Sequence, residues 1–168
     1  MKLATRYLTP FRAVLLALAV VATTSGQALP PTPKEFLNDY AGVTSVSKQK
    51  ELNGQLAQFC KATSNQVVVA IFPKLDSNLS MDEYTLKVAN SWEVGQRGKN
   101  NGVVLFVFVN DRKMRIQVGL GLTNVLTDNL CKKIIDEDLK PRFRNADFEG
   151  GLTDGVKSIQ GILRKQHE

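Results

Sequence analysis

The sequence predicts an α/β fold, a three-layer α/β/α sandwich around a central mixed, mostly parallel β-sheet. Two apolar, β-branched segments of strand length, residues 66–73 and 102–110, have the composition of strands that are buried on both faces. Amphipathic helical patterns precede and separate them, which is typical of helices that cover both faces of a sheet. Residues 113–119, in which apolar and polar side chains alternate, follow closely and indicate one hairpin.

The N-terminal segment, residues 1–28, has the parts of a secretory signal peptide. Its first twelve residues carry three basic side chains and no acid. Residues 13–22 then form an unbroken apolar run, which is followed by the small residues Gly26 and Ala28. A membrane-spanning helix needs about 20 apolar residues, and this run is half that length. We therefore expect cleavage near Ala28 and a periplasmic or secreted protein, with an uncleaved N-terminal anchor as the alternative.

Removal of this leader changes the charge of the chain. It leaves 19 basic and 16 acidic residues, so the net charge falls from +6 to +3. This small excess is weak support for nucleic-acid binding, and we expect no nucleic-acid partner. Residues 29–36 are rich in proline and predict an extended linker, and residues 37–168 have the length of a single domain. No later apolar run reaches spanning length, so we expect no transmembrane helix in the mature chain. We also expect a monomer.

The helices follow from local patterns. Apolar residues at helical spacing predict the first helix over residues 46–62. A capping box formed by Ser80 and Glu83 opens the second helix, and Trp92 lies on its apolar stripe, which assigns this side chain to the core. Two further helices are predicted, with starts at Thr127 or Asp128 and at Asp147.

The order of these elements sorts the loops to the two ends of the sheet. The two buried strands are joined through a helix, which predicts a parallel pair. The loops that follow these strands, around residues 73–78 and Asp111, therefore share one end with residues 39–42. The other end collects the loops at residues 64–66, 95–101 and 119–128.

The composition excludes several classes of catalytic site. His167, next to the last residue, is the only histidine, so a Ser-His-Asp or Cys-His mechanism has no base. Cys60 and Cys131 are far from the close spacing of zinc-binding cysteines. No phosphate-binding or dinucleotide-binding glycine motif stands in the right context, so we expect no nucleotide or organic cofactor. Catalysis is left to carboxylates, with or without a hard metal ion.

Short motifs in the loops form a specific series along the chain. The series is Asp39-x-Ala41-Gly42, Thr63-x-x-Gln66, Trp92-x-x-Gly95, Asn100-Asn101-Gly102-Val103-x-Leu105, Arg112-x-x-Arg115-Ile116-x-Val118-Gly119-x-Gly121-Leu122, Leu126-Thr127-Asp128 and Pro141-x-Phe143. Over residues 37–164 this series resembles the TPM domain family. One departure is Thr123, which stands where the family usually has glutamate.

The resemblance implies both a location and a range of roles. It implies an α/β/α sandwich that is exported or faces a lumen. Members of the family are similar to a thylakoid acid phosphatase linked to photosystem repair, to modulators of membrane receptors and to factors for respiratory-complex assembly. Divalent cations, calcium among them, are associated with several members.

Four oxygen-bearing side chains are candidate ligands for Ca²⁺ or Mg²⁺, in two places. Asp39 and Asp111, the favoured pair, are predicted to lie in loops at the end of the sheet where open α/β folds bind ligands. Asn101 and Asp128 lie at the opposite end, where the threonine at position 123 removes one anionic ligand. Turn and helix-cap chemistry is the alternative explanation for all three aspartates.

Arginines and cysteines supply the remaining candidates. Arg112 and Arg115 in the hairpin are candidate phosphate ligands, because a guanidinium can pair with phosphate through two hydrogen bonds; a solvated strand face is the alternative. Cys60 and Cys131 form an even pair that could be bridged in an oxidising compartment. Both lie on apolar helix faces, so two buried free thiols are the alternative. The acidic run 136–138 is assigned to a solvated helix face.

Two functions remain open on these grounds. The first is a divalent-cation-binding, non-enzymatic accessory factor for the assembly, maintenance or repair of membrane protein complexes, with a membrane protein as its partner. The second is a metal-dependent acid phosphatase that hydrolyses phosphomonoesters, in which Asp39 and Asp111 bind the ion and an arginine steadies the phosphate. The absence of a strong catalytic constellation favours the first.

Overall fold

The computed structural model describes residues 29–165. The predicted signal peptide and His167 lie outside the described residues. The elements, in chain order, are β1 (Leu37–Asp39), α1 (Val46–Thr63), β2 (Gln66–Phe72), α2 (Met81–Trp92), β3 (Gly102–Phe108), β4 (Lys113–Val118), a 3₁₀ turn (Leu120–Leu122), α3 (Asp128–Ile134), a π-helical turn (Ile135–Leu139), α4 (Lys140–Arg144) and α5 (Phe148–Arg164).

A four-stranded sheet forms the middle layer, with the strands in the order β1-β2-β3-β4. The parallel pairing of β2 with β3 and the antiparallel hairpin of β3 with β4 are both as predicted. β1 was not predicted, because three residues are too few to show a strand pattern. It pairs parallel with β2, and Asp39 lies opposite Ile71. The prediction of a mixed, mostly parallel sheet in an α/β/α sandwich is confirmed.

Two separate clusters of apolar side chains cover the two faces of the sheet. Alternate residues of the buried strands divide between them, because successive side chains of a strand point to opposite faces. Val69 and Leu105 join the larger cluster, with side chains of α1, α3 and α5. Val68 and Phe106 join the smaller cluster, with side chains of α2. The sheet is therefore the centre of three layers.

The second helix packs as its sequence pattern predicts. The Ser80 side chain accepts a hydrogen bond from the Glu83 backbone and Glu83 reaches back to Ser80, which completes the capping box. Trp92 is 4% exposed and its ring lies 5.7 Å from that of Phe106. The indole N–H donates to the Pro30 carbonyl at 2.9 Å. The predicted linker is therefore held against the end of α2.

The third helical segment contains a turn that the sequence pattern does not reveal. Between α3 and α4 the helix widens to a π-helical turn, which adds residues to one turn and shifts the faces that follow. Leu139 ends this turn fully buried, against Gly155 of α5. Asp136 and Glu137 are exposed, as predicted for the acidic run. Among residues 29–165 no helix is long and apolar enough to cross a membrane.

Candidate functional site

The loops separate to the two ends of the sheet as the sequence predicts. At the carboxyl ends of the parallel strands, Tyr40 N–H donates to the Ile71 carbonyl and Asn110 N–H donates to the Pro73 carbonyl, both at 2.8 Å. These contacts bring the segment after β1, the loop after β2 and the hairpin turn after β3 to one edge. We call this the carboxyl edge. Asp39 and Asp111 both lie on it.

Asp39 is used by its own loop. Its Oδ1 accepts from the backbone N–H groups of Ala41 and Gly42, at 3.0 and 2.8 Å. Its Oδ2 accepts from the backbone N–H and the hydroxyl of Thr44, at 2.8 and 2.7 Å. A carboxylate offers about four acceptor positions, so these four donors fill them. Asp39 thus shapes the entry to α1, where Ser45 is the N-cap.

Asp111 is exposed and less engaged. Its Oδ2 accepts a hydrogen bond from the Leu75 backbone N–H at 2.6 Å. This bond ties the hairpin turn to the loop after β2. The other acceptor positions of Asp111 make no hydrogen bond within the described residues. Of the favoured pair, Asp111 is the carboxylate that is open to a ligand.

A cavity of about 530 Å³ opens at the carboxyl edge, between the β3–β4 hairpin and the segment from α4 to α5. Its apolar wall comes from the strand ends, from α4 and from the start of α5, and Val109, Met114, Phe143 and Phe148 in it are half-buried. The residues that contribute apolar surface are Val107, Phe108, Val109, Met114, Phe143, Ala146 and Phe148. The volume lies in the range of small-ligand sites, which is about 300–1,000 Å³.

The charged residues of this cavity are all basic. Arg112 and Lys113 come from the hairpin, and Lys140 and Arg144 lie one helical turn apart on α4. Lys140 Nζ lies 2.6 Å from Asp136 Oδ1, and this hydrogen bond lowers the pKa of the Asp136 carboxyl. The other three have no ion pair within the described part of the chain. We call these four residues the cationic rim.

Most groups that perform hydrolysis are missing from the lining. Among the described residues that line the cavity, none carries a carboxylate, a hydroxyl, a thiol or an imidazole. Of the side chains that serve as nucleophile or general base, the lining offers only the amines of Lys113 and Lys140. The lining combines cations with apolar surface, which is the chemistry of recognition of an anion with an apolar part.

Sequence reasoning found one member of the cationic rim, Arg112, and missed the other three. The signal that could have found two of them is the run Lys140-Pro-Arg-Phe-Arg144, in which basic residues surround Phe143. Only the fold shows that the π-helical turn delivers this run to the carboxyl edge.

The two arginines proposed as a phosphate clamp do not lie together. Arg112 occupies the hairpin turn with a left-handed backbone (φ 53°), and its side chain lines the cavity. Arg115 pairs across the hairpin with Phe106, so it lies on the face that α2 covers. Its Nε lies 3.4 Å from Asp82 Oδ1 in the first turn of α2. Arg112 therefore belongs to the cationic rim, whereas Arg115 contacts α2.

At the opposite end of the sheet, Asn101 is a structural residue. It is 5% exposed. Its Oδ1 accepts from the Gln96 N–H and its Nδ2 donates to the Ser64 carbonyl, both at 2.7 Å. Asp128 lies exposed in the first turn of α3, and the cap is Thr127, which accepts from Leu130 N–H at 3.4 Å. Of the two predicted caps, Thr127 is the one observed.

A second cavity, of about 540 Å³, lies at this opposite end beside α2. Glu93 and Arg97 line it, and the charged atoms of this pair are 3.6 Å apart in an exposed position. The charges of the lining residues therefore balance. We call it the neutral cavity.

Both cysteines are free thiols in the structure, which was the alternative to a bridge. Cys60 is half-buried on α1 and Cys131 is buried on α3. Burial, with a smaller contribution from the charge of Asp128, raises the pKa of the Cys131 thiol to about 11. Cys131 is therefore a neutral thiol near pH 7 and packs as a small apolar side chain.

The fit of the four candidate metal ligands is poor in this conformation. Asp39 offers no free acceptor position, and both side-chain atoms of Asn101 have protein partners. Asp111 and Asp128 are at opposite ends of the sheet. Within residues 29–165 no three histidine, cysteine or acidic side chains come together as a metal-binding group. Of the four, Asp111 and Asp128 retain the free carboxylate oxygen that a hard cation requires, but each stands without the other candidates.

Comparison with known proteins gives the family of the chain. Residues 37–162 match the TPM domain. The N-terminal domain of a protein from P. gingivalis, solved in solution, is 30% identical, with a TM-score of 0.72 over 79% of this chain and 83% of that one. The BA42 protein of Bizionia argentinensis is 19% identical, with a TM-score of 0.62 over 76% and 86% of the two chains.

The N-terminal domain of the cg2496 protein from Corynebacterium glutamicum is 16% identical, with a TM-score of 0.59 over 79% and 82% of the two chains. At this identity, and at that of BA42, the likeness shows the fold alone. No curated protein matches the chain. The family match covers most of the chain and agrees with the fold, so the chain belongs to the TPM domain family.

Proposed function

We propose that this protein is an exported, non-enzymatic accessory module that binds a membrane protein partner during assembly, maintenance or repair of its complex. The observation that carries the proposal is the cavity at the carboxyl edge. It places four cations around an apolar wall at the edge where open α/β sheets take ligands. Its described lining contains no carboxylate, hydroxyl, thiol or imidazole, which suits binding without turnover.

Export is the second part of the proposal, and the leader sequence supports it. The basic start, the short apolar run and the small residues before Leu29 are the pattern of a cleaved secretory signal. In the folded protein the chain just after that point is docked, because the Trp92 indole holds the Pro30 carbonyl. A cut near Ala28 would leave this contact intact. N-terminal sequencing of the protein recovered outside the cytoplasm tests this part.

The partner test uses the full-length gene in cells that make the protein. Photo-crosslinking from position 113 on the cationic rim, with detection in the membrane fraction, should give a reproducible adduct. Lys61, exposed at the other end of α1, is the matched position for control crosslinking. Adducts of equal yield from both positions, or none from either, would contradict the proposal. Deletion of the gene should also lower the amount of the partner's complex, as native gels would show.

The alternative function, an acid phosphatase, draws on a separate observation. Arg112 and Arg144 bring two guanidiniums to one cavity, and guanidiniums suit phosphate oxygens. The adjacent Asp111 is the nearest free carboxylate in sequence. Turnover of a chromogenic phosphomonoester with Ca²⁺ or Mg²⁺, measured for wild type, Asp39→Ala and Asp111→Asn, decides the matter. Turnover that Asp111→Asn abolishes would establish the enzyme and contradict the accessory role.

A divalent cation at the carboxyl edge is a further part of the proposal, with Asp111 as its ligand. Asp39 would contribute only after exchange of one of its four hydrogen bonds. Isothermal titration with CaCl₂ and with MgCl₂ measures the binding directly. We expect Asp111→Asn to remove the heat of binding and the exposed Asp128→Asn to leave it unchanged. The reverse result would move the cation to the other end of the sheet.

A further inference from the structure

We propose that the cavity at the carboxyl edge recognises an acidic peptide segment in which an apolar side chain stands between carboxylates. The inference rests on the proposed accessory function and names the chemistry that this site would recognise in the partner. Three features of the cavity carry it: the exposed apolar wall, the division of the cations between two elements, and the backbone of Arg112.

The apolar wall is a surface that the fold leaves partly uncovered. Val109, Met114 and Phe143 pack against the larger core cluster but are only half-buried, and Phe148 beside them is half-buried as well. The rings of Phe143 and Phe148 lie 5.0 Å apart and form one continuous patch. Burial of apolar surface is the general driving force of association. A ligand that inserts an apolar side chain would gain from this wall, whereas a bare inorganic anion would not.

The division of the cations indicates the spacing of negative charge on the ligand. Arg112 and Lys113 are neighbours on the hairpin, and Lys140 and Arg144 form a second pair on α4. The apolar wall lies with these two pairs in one cavity. A single phosphate could pair with these cations but would leave the apolar wall uncovered. Carboxylates on both sides of an apolar residue would satisfy both pairs, as a short stretch of acidic chain does.

The shape of the site favours a peptide over a membrane surface. Basic residues that bind anionic lipids act as an exposed cluster beside the headgroups. Here the cations border a concave site of about 530 Å³, into which a side chain fits and a bilayer does not. A recessed apolar wall with charges around it matches the arrangement of peptide-binding sites, in which a buried anchor is surrounded by polar contacts.

Arg112 stands at a position where its own side chain is conformationally unfavourable. Its φ of 53° lies in the left-handed region, which glycine, asparagine and aspartate prefer. An arginine in this conformation carries a local cost, and in the described part of the chain it makes no ion pair that would offset it. Residues held in such conformations are concentrated at functional sites. Binding of an anion by the guanidinium is the function that this geometry points to.

The test is a fluorescence anisotropy titration of the purified protein. The probe is a short labelled peptide in which phenylalanine stands between glutamates. Two control peptides replace the phenylalanine by serine or the glutamates by glutamine. We expect saturable binding of the probe, weakened about tenfold by each replacement. Raising the ionic strength to about 1 M, where the Debye length is about 3 Å, should also weaken it.

Two variants assign the binding to this cavity. Arg112→Gly removes the charge and relaxes the left-handed backbone, so it should weaken binding about tenfold while the protein remains at least as resistant to urea as wild type. Lys157→Gln, on the exposed side of α5 and away from the cavity, makes the same change in net charge. It should bind the probe as wild type does. Equal binding by Arg112→Gly and wild type would overturn the inference.

Other outcomes separate this inference from the function on which it rests. Absence of saturable binding, or equal affinity for the serine peptide, overturns the peptide chemistry, while the crosslinked partner would still stand. Binding of vesicles that contain phosphatidylserine, with loss in Arg112→Gly and no binding of the peptide, would identify a lipid surface and also overturn it. Loss of both the crosslink and peptide binding would remove the accessory function as well.

Discussion

The two ends of the sheet carry cavities of nearly the same size and opposite character. The cavity at the carboxyl edge, of about 530 Å³, is bordered by four basic residues. The neutral cavity, of about 540 Å³, is bordered by one acid and one base that pair with each other. Volume therefore does not distinguish them. The difference lies in uncompensated charge, which is the property that selects a ligand.

The two ends also differ in what holds them together. Carboxylates hold the carboxyl edge: Asp39 shapes one loop, Asp111 ties another, and Glu149 caps the start of α1 through Ser45 N–H. The opposite end is held by amide side chains and by close backbone packing. Gln66 Oε1 accepts from Gly95 N–H at 2.8 Å, beside the contacts of Asn101. The carboxyl edge can therefore respond to charge. The opposite end, joined through the uncharged side chains of Gln66 and Asn101, cannot, and we call it the neutral clasp.

The glycine motifs of the neutral clasp have a steric explanation. A Cβ on Gly102 would meet the Val94 carbonyl oxygen, and one on Gly119 or Gly121 would meet backbone carbonyls of the 95–101 loop. All of these contacts would be shorter than van der Waals separation. The motifs that show the family resemblance are thus largely those that let three backbone segments pack at this end. These motifs therefore indicate the fold of the chain more than the ligand that it binds.

The largest effect on stability is expected when a methyl group is added at the neutral clasp. This substitution tests the proposed difference between the two ends of the sheet. Gly102→Ala places a Cβ against backbone atoms, which cannot rotate away as a side chain could. We expect a loss of about 3 kcal/mol in the free energy of unfolding, the upper part of the usual cost of overpacking. Urea denaturation followed by circular dichroism measures it. Binding of the acidic peptide at the other end should persist in the fraction that remains folded.

Gly54→Ala is the matched control for this substitution. Gly54 lies on the exposed side of α1, and a Cβ there meets nothing within 4 Å. Alanine is the better helix former, so the control should be stabilised by about 0.5–1 kcal/mol. Equal effects of the two substitutions would show that the clasp has room, and that its glycines have no packing role.

A smaller loss is expected when the amide of the clasp is removed. Asn101→Ala removes a 5% exposed side chain that partners the Gln96 N–H and the Ser64 carbonyl, both at 2.7 Å. Buried polar groups that lose their partner cost about 1–3 kcal/mol, and we expect about 2 kcal/mol here. The same urea titration measures it. Asn129→Ala, at an exposed position of α3, should change the midpoint little.

Acid should loosen the carboxyl edge before it loosens the clasp. The Ser45 backbone N–H and then its hydroxyl hold the pKa of the Glu149 carboxyl below its ordinary value of 4.5. Because the folded pKa is the lower one, this stabilisation is present above pH 4.5 and is lost as pH falls through the folded value. The carboxamides of Gln66 and Asn101 do not titrate in this range.

Amide hydrogen exchange measures this difference. Protection of Ser45 N–H, corrected for the intrinsic exchange rate, should fall as the pH drops below 4.5, while that of Gln96 should not. Glu149→Gln should flatten the response of Ser45 and leave that of Gln96 unchanged. A parallel loss at both amides would mean that acid unfolds the whole domain and not one edge.

The comparison also explains how much the sequence could predict. The buried strands, the hairpin, the capping box and Trp92 were predictable, because each rests on a local pattern of periodicity or capping. The sorting of loops to two ends followed from connectivity. β1 was missed, because its three residues are shorter than one period of any reliable pattern. It forms through pairing with β2, which no local signal reports.

The candidate site was less accessible to sequence reasoning. Aspartates were singled out for their chemistry, yet hydrogen bonds within the loop decide that Asp39 is filled and Asp111 is open. Lys140 and Arg144 were not singled out, because they reach the edge only through the π-helical turn. Such a turn depends on the packing of Leu139 against α5. Residue type predicts what a site could do, and tertiary contacts decide which residues meet there.

The smallest effect on stability and on peptide binding is expected from a substitution at the neutral cavity. An unchanged result there would support the distinction between the two cavities. Arg97→Gln breaks an ion pair in which both side chains are largely exposed, 92% for Arg97 and 74% for Glu93. Solvent screens such pairs, so the midpoint of urea unfolding should not change measurably. The substitution removes the same single charge as Arg112→Gly. Peptide binding should therefore be unchanged, measured by the same anisotropy titration. If Arg97→Gln weakened binding as Arg112→Gly does, net charge and not the cationic rim would control recognition, and the distinction between the two cavities would fail.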